Sequence, residues 1–244
     1  MSYKVLMQKE LERKWNYLRT FVEPDEDEED EEVRLTALCN EILHDASEVG
    51  DLEKITLLID QIQNELGIEI DVNQTLDKSG QTPLLLASGE GYPDIVDFLI
   101  LNGANVNAVS GGETPLIAVA QNSIMNKDDQ LTIVDKLITS GANINHQDEY
   151  GKTPLILATE SNSPKIVNIL LLSGADINIQ DRNNETALDI AVSNEMAEIQ
   201  QIIQDYINKQ NEPKTPAKKR GGTKKRKTNK RRQKLNKSKR RKTL

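Results

Sequence analysis

The chain has 244 residues, of which 36% are hydrophobic, 3% aromatic and 29% charged. Its interior must therefore be built from Leu, Ile, Val and Ala, a composition that suits stacked small helices. One cysteine (Cys39) and two histidines (His44, His146) exclude a disulfide framework and a Cys/His zinc site, and point to a reducing compartment. The net charge of −8 conceals a segregation: residues 211–244 hold 17 Lys and Arg against Glu212 alone, a balance of +16 that leaves residues 1–210 at −24.

In chain order, residues 1–22 read as an amphipathic helix with Leu11, Trp15, Leu18 and Val22 on one face, ended by Pro24. Lys4, Glu10, Glu12, Arg13 and Lys14 interrupt any apolar core of a signal peptide, and no run approaches the ~20 apolar residues of a membrane span. A soluble intracellular protein is expected. Residues 23–32 are almost wholly Asp and Glu and read as a flexible, self-repelling linker. Residues 33–210 are periodic. From Asn211 the chain is nearly devoid of apolar residues and is expected to be a disordered basic tail.

The period is carried by two markers. Thr82-Pro83-Leu84 recurs as Thr114-Pro115-Leu116, as Thr153-Pro154-Leu155 and, altered, as Thr186-Ala187-Leu188. Gly103-Ala104-Asn105-Val106-Asn107 recurs as Gly141-Ala142-Asn143-Ile144-Asn145 and Gly174-Ala175-Asp176-Ile177-Asn178. Thr82, Thr114 and Thr153 can each cap a helix whose first position is a proline that needs no donor. Each glycine follows an apolar second helix (Ile95-Val96…Leu99, Ile166-Val167…Leu170) where a left-handed stop is required.

A repeat near 33 residues opened by Thr-Pro-Leu resembles the ankyrin repeat. The resemblance covers about residues 33–207 and implies an all-α solenoid of about five helix-turn-helix units. Their approximate bounds are 33–76 (degenerate), 77–109, 110–147, 148–180 and 181–207, with the outer two as caps. Two departures stand out. The fourth signature residue is Leu85, Ile117, Ile156 or Asp189, never His, so apolar packing is expected to replace that histidine's hydrogen bond. The unit opened by Thr114 is also six residues longer, with the excess around Gln121–Gln130, as a longer helix pair or a protruding loop.

No catalytic motif, cofactor fingerprint or metal ligand set occurs, so a non-enzyme without cofactor or metal is expected. The ankyrin resemblance implies a partner protein bound by hairpin tips and first helices. Matched by motif, the tips are Lys78, Ser79 and Gln81; Ser110, Gly111 and Glu113; Glu149, Tyr150 and Lys152; and Arg182, Asn183 and Glu185. Tyr150 is the aromatic among them, a residue type favoured at binding hot spots.

The tail carries the clusters Lys218, Lys219, Arg220; Lys224, Lys225, Arg226, Lys227; Lys230, Arg231, Arg232; and Lys239, Arg240, Arg241, Lys242. Such density suits nuclear import or counterion-release binding to nucleic acid, and without interleaved aromatics no base stacking is expected. In style it resembles the basic tails of giant DNA virus proteins. Three readings follow: a monomeric protein-binding scaffold in nucleus or cytoplasm; a non-specific nucleic-acid-binding protein acting through the tail; and a regulatory subunit of a separate enzyme.

Overall fold

The computed structural model describes residues 9, 12–17, 28–62, 69–75 and 80–211. Among them the architecture is helical, with no strand. Helix α1 spans Glu28–Val49, and α2 spans Leu52–Leu57 and runs on as a π-helical turn, Leu58–Ile62. Then come α3 (Pro83–Glu90), α4 (Pro93–Leu101), α5 (Pro115–Gln121), α6 (Lys127–Thr139), α7 (Pro154–Glu160), α8 (Pro164–Leu172), α9 (Ala187–Ser193) and α10 (Ala197–Asn211). The first helices α1, α3, α5, α7 and α9 pack in succession as one layer, and α4, α6 and α8 pack in succession as a second. One continuous core runs between them, from Trp15 to Ile203.

Local chemistry accounts for the helix ends. The hydroxyls of Thr82, Thr114, Thr153 and Thr186 accept from the backbone N–H three residues on, at 3.2–3.3 Å. Each such cap is worth about 1 kcal/mol. At Thr186, Asp189 returns the favour to the Thr186 N–H at 2.9 Å and completes a capping box. Leu85, Ile117 and Ile156, at the same position in the other units, are instead buried. Apolar packing thus stands there in place of a polar contact. At the other end of each pair, Gly103, Gly141 and Gly174 have φ near +90°. The next residue donates back to Leu99, Leu137 or Leu170 at 2.9–3.0 Å, a Schellman stop.

The repeats are tied by asparagines as well as by the core. Asn73 Oδ1 accepts from Asn105 N–H at 2.7 Å, Asn107 Oδ1 from Asn143 N–H at 2.7 Å, and Asn145 Oδ1 from Asp176 N–H at 2.9 Å. The amides of Asn73 and Asn107 also donate to the carbonyls of Gly103 and Gly141.

Four findings refine the sequence reading. Helix α1 starts at Glu28, so half of the expected acidic linker is helical. Glutamate is a good helix former, and carboxylates in a first turn face the positive end of the helix dipole. Residues 12–17 are helical, and Trp15 is 7% exposed within the core. Lys14 bonds Asp45 and Lys54 bonds Glu12, both at 2.7 Å, so the segment docks on the first repeat. Leu11, Leu18 and Val22 lie outside the described residues. The excess of the third repeat is divided: a five-residue turn, Asn122–Asn126, precedes a 13-residue α6, whereas α4 and α8 have nine residues. In the last repeat Ile199 and Ile203 face inward and Gln201 and Gln204 face solvent, while Gln200 caps the Ala191 carbonyl at 2.8 Å. The tail, residues 212–244, lies outside the described residues.

Candidate interaction surface

The hairpin tips are built by two kinds of local bonding. Ser110 and Glu113 exchange both backbone bonds, at 2.9 and 2.8 Å, around Gly111-Gly112, whose φ values are both positive. That is a primed hairpin turn, open to glycine pairs. In the next two units an aspartate organises the loop. Asp148 Oδ1 accepts from the N–H of Tyr150 and of Lys152, at 2.8 and 2.7 Å; Asp181 Oδ1 accepts from Asn183 and Glu185, at 2.8 and 3.1 Å. A carboxylate that binds two N–H groups closes the turn without a strand ladder.

The tips also hold one another. Arg182 N–H donates to the Tyr150 carbonyl at 2.9 Å, Gln147 Nε2 donates to the Gln180 carbonyl at 3.2 Å, and His146 Nε2 lies 3.2 Å from the Gly112 carbonyl. A Cβ at Gly112 would meet the Glu149 nitrogen at 2.9 Å. Histidine 146, which in sequence is only a loop residue, thus links two hairpins.

The structure brings most of the candidate residues to one edge. Ser110 and Glu113, then Tyr150 and Lys152, then Arg182 and Glu185 follow one another along the row of tips. Glu149, Tyr150, Arg182 and Asn183 are exposed; Gln81, Ser110, Glu113, Lys152 and Glu185 are half-buried. Lys78 and Ser79 lie outside the described residues, as do all the basic clusters from Lys218 to Lys242. Lys152 reaches back to α7, with Nζ 2.7 and 2.8 Å from the two carboxylate oxygens of Glu160. Burial alone would lower its pKa, but the hydrogen bond and attraction of Glu160, with Asp148 and Asp181 nearby, hold it above the ordinary 10.5.

Beside the tips, the exposed faces of the first helices form two adjoining depressions of 490 and 410 Å³. They share Glu113, Gln121 and Ser123. One is bounded by Tyr150, Lys152, Leu157 and Glu160, the other by Leu85, Leu86, Glu90 and Ile124. Ile124 escapes the motif reading, although the length excess after Pro115 marks its position. It is 93% exposed, on a turn that is closely bonded. Asn122 Oδ1 accepts from Ile124 and Met125 N–H at 3.0 Å, and its amide donates to the Gly89 carbonyl of the preceding repeat at 2.8 Å. Beneath it Gln130, wholly buried, donates to the carbonyls of Val119 and Asn122 at 2.8 and 2.7 Å.

Among the described residues, no group of His, Cys, Asp and Glu is arranged to hold a metal ion, and no helix is long and apolar enough to cross a membrane.

Comparison with known proteins agrees with this geometry. Parts of the chain are similar to the B-cell lymphoma 3 protein homolog of Mus musculus, 32% identical over 117 residues that make up 48% of this chain and 23% of that protein. They are similar to glycerophosphocholine phosphodiesterase GDE1 of Candida albicans, 36% identical over 100 residues, 39% of this chain and 8% of that protein. A third relative, the ankyrin repeat domain-containing protein OPG015 of Monkeypox virus, is 45% identical over 71 residues, 28% of this chain and 16% of that protein. The matches span less than a quarter of each of these relatives. A family model for ankyrin repeats matches residues 43–127 and 123–212, most of the chain and all of the later helix pairs. With its threonine-capped first helices, glycine-stopped second helices and stacked hairpins, the chain belongs to the ankyrin-repeat family.

Proposed function

We propose that this protein is a non-enzymatic scaffold that binds a partner protein through its hairpin tips and the adjoining first-helix surface. Ankyrin repeats generally serve as protein–protein interaction modules. The observation that carries the assignment is Tyr150, 65% exposed on a tip whose backbone is bonded to Asp148 and to the next hairpin. An aromatic held in place before binding loses little entropy when it docks. The scaffold acts as a monomer inside the cell, in the nucleus or cytoplasm.

The basic segment 211–244 serves nuclear targeting or attachment to nucleic acid. Its 17 Lys and Arg support both roles, whereas the −24 of residues 1–210 would repel a duplex from the repeats. A second reading, non-specific nucleic-acid binding as the main activity, is favoured by that tail alone. Affinity capture with the full chain, with Tyr150→Ala and with the tail's lysines and arginines changed to glutamine separates the two. A partner protein lost with Tyr150→Ala and retained by the tail variant supports the scaffold. Recovery of nucleic acid alone, lost with the tail variant, supports the second reading.

A further inference from the structure

We propose that the groove between Ile124 and Tyr150 receives an extended, Lys/Arg-bearing segment of the partner protein, with apolar side chains of that segment seated on Ile124 and Tyr150. This rests on the scaffold reading and gives the partner's contact region a chemistry.

The first observation is Ile124. A β-branched side chain 93% exposed gains nothing from burial in its own chain, yet the turn beneath it is heavily bonded. Asn122 Oδ1 accepts from Ile124 and Met125 N–H within the turn and its amide ties the turn to Gly89, while the buried Gln130 amide donates to the Asn122 carbonyl at the start of the turn and to Val119 just before it. An apolar knob on a braced turn is pre-organised to bury against something else. The second observation is continuity. The two depressions share Glu113, Gln121 and Ser123, so together they form one trough, lined from three repeats, that includes Ile124 and Tyr150.

Charge selects the occupant. Among the described residues, the ionisable side chains lining the trough are Glu90, Glu113, Asp148, Lys152 and Glu160. Four carboxylates thus face one ammonium, and that ammonium already lies 2.7 Å from Glu160. A Lys/Arg-bearing chain meets complementary potential there, while an acidic one is repelled. A second copy's repeat region, as acidic as this one, would also be repelled.

The test uses the full chain and dye-labelled short peptides at physiological salt, read by fluorescence anisotropy. One peptide alternates Lys and Arg around a central Leu pair; a second has the leucines changed to Ser; a third has the basic residues changed to Glu. The basic–apolar peptide should bind best. Ile124→Ser and Tyr150→Ala should each weaken it by about tenfold or more, as expected for hot-spot anchors. Glu113→Gln with Glu160→Gln should weaken it and flatten its salt dependence. Glu198→Gln, on α10 away from the trough, should change nothing. Circular dichroism melts verify that each variant is folded; Ile124→Ser removes no core contact.

Preference for the acidic peptide, no binding of the basic one, or equal affinity for Ile124→Ser overturns the proposal. So does self-association of the chain that Ile124→Ser abolishes, which would make the trough an interface between copies. The natural partner separates this inference from the reading beneath it. If that partner is lost with Tyr150→Ala but is indifferent to Ile124→Ser and to the double glutamine variant, the scaffold reading stands and the basic-segment inference falls. Indifference to Tyr150→Ala as well removes both.

Discussion

Lys14 grips Asp45 across the boundary between the N-terminal helical residues and α1, with Nζ 2.7 Å from a carboxylate that is only 9% exposed. Glu41 lies 3.2 Å from the same ammonium, and Lys54 forms a matching clamp with Asp51 and Glu12. Burial alone would lower the pKa of Lys14, but bonds to Asp45 and Glu41 and their attraction outweigh it and raise the value above 10.5. Lys54 is raised in the same way by Asp51 and Glu12.

A lysine whose pKa rises on folding contributes stability that is complete below the unfolded value and fades as pH climbs through the folded one. The N-terminal segment should therefore stay docked up to the ordinary lysine pKa of about 10.4 and release only as pH climbs through the raised folded values. The sole tryptophan, Trp15, reports the event directly. Its emission should shift to the red above that pH, before the far-ultraviolet helical signal falls. Trp15→Ala, which removes a buried aromatic, should lower stability by about 3 kcal/mol in urea unfolding.

Gln130→Leu should be destabilising although leucine is apolar and of similar size. The substitution leaves the buried Val119 carbonyl and the partly buried Asn122 carbonyl without the amide that bonds them. An unsatisfied buried group costs about 1–3 kcal/mol, so a loss of about 2–4 kcal/mol is expected for the pair. Hydrogen exchange should rise first across Asn122–Asn126, the turn that Gln130 supports.

Tyr150 and Lys152 should behave differently despite sharing a tip. The double change to Ala should weaken the partner with little effect on stability, and Tyr150 should carry the loss. Lys152→Ala alone leaves Glu160 without its ammonium partner, so affinity for a basic peptide should rise. Anisotropy titration of the three variants checks the order.

Removal of residues 212–244 should abolish nuclear accumulation and nucleic-acid binding and leave the melting temperature nearly unchanged. The segment has few apolar residues, Leu235 and Leu244 being its large ones. With the full chain, binding to duplex DNA should fall with salt at a log–log slope of about −0.9 per phosphate contact. Scrambling the tail at fixed composition should preserve that slope.

What was legible in the sequence is what short-range chemistry decides. The threonine caps and glycine stops need only their own three or four neighbours, and the structure has them at Thr82, Thr114, Thr153 and Thr186 and at Gly103, Gly141 and Gly174. The turn carrying Ile124 was not legible, because its brace is Gly89, 33 residues earlier, and no local pattern announces that pairing. The link made by His146 is hidden for the same reason: its contact, Gly112, belongs to another repeat. The start of α1 inside the acidic run was hidden by a competition between repulsion, which favours an open chain, and the helix dipole, which favours carboxylates at an N-terminus.

The asparagines that link the first four repeats act alike at their three junctions. Asn73 reaches Asn105, Asn107 reaches Asn143 and Asn145 reaches Asp176, and in each case a side-chain oxygen meets a backbone N–H at the same place in the next unit. Such joints are interchangeable parts. Excision of one whole internal unit leaves an asparagine facing an equivalent N–H, and duplication of one supplies a new pair. The number of units is thus a free variable of this architecture, and the length of the molecule can change by whole repeats without a new joint being invented.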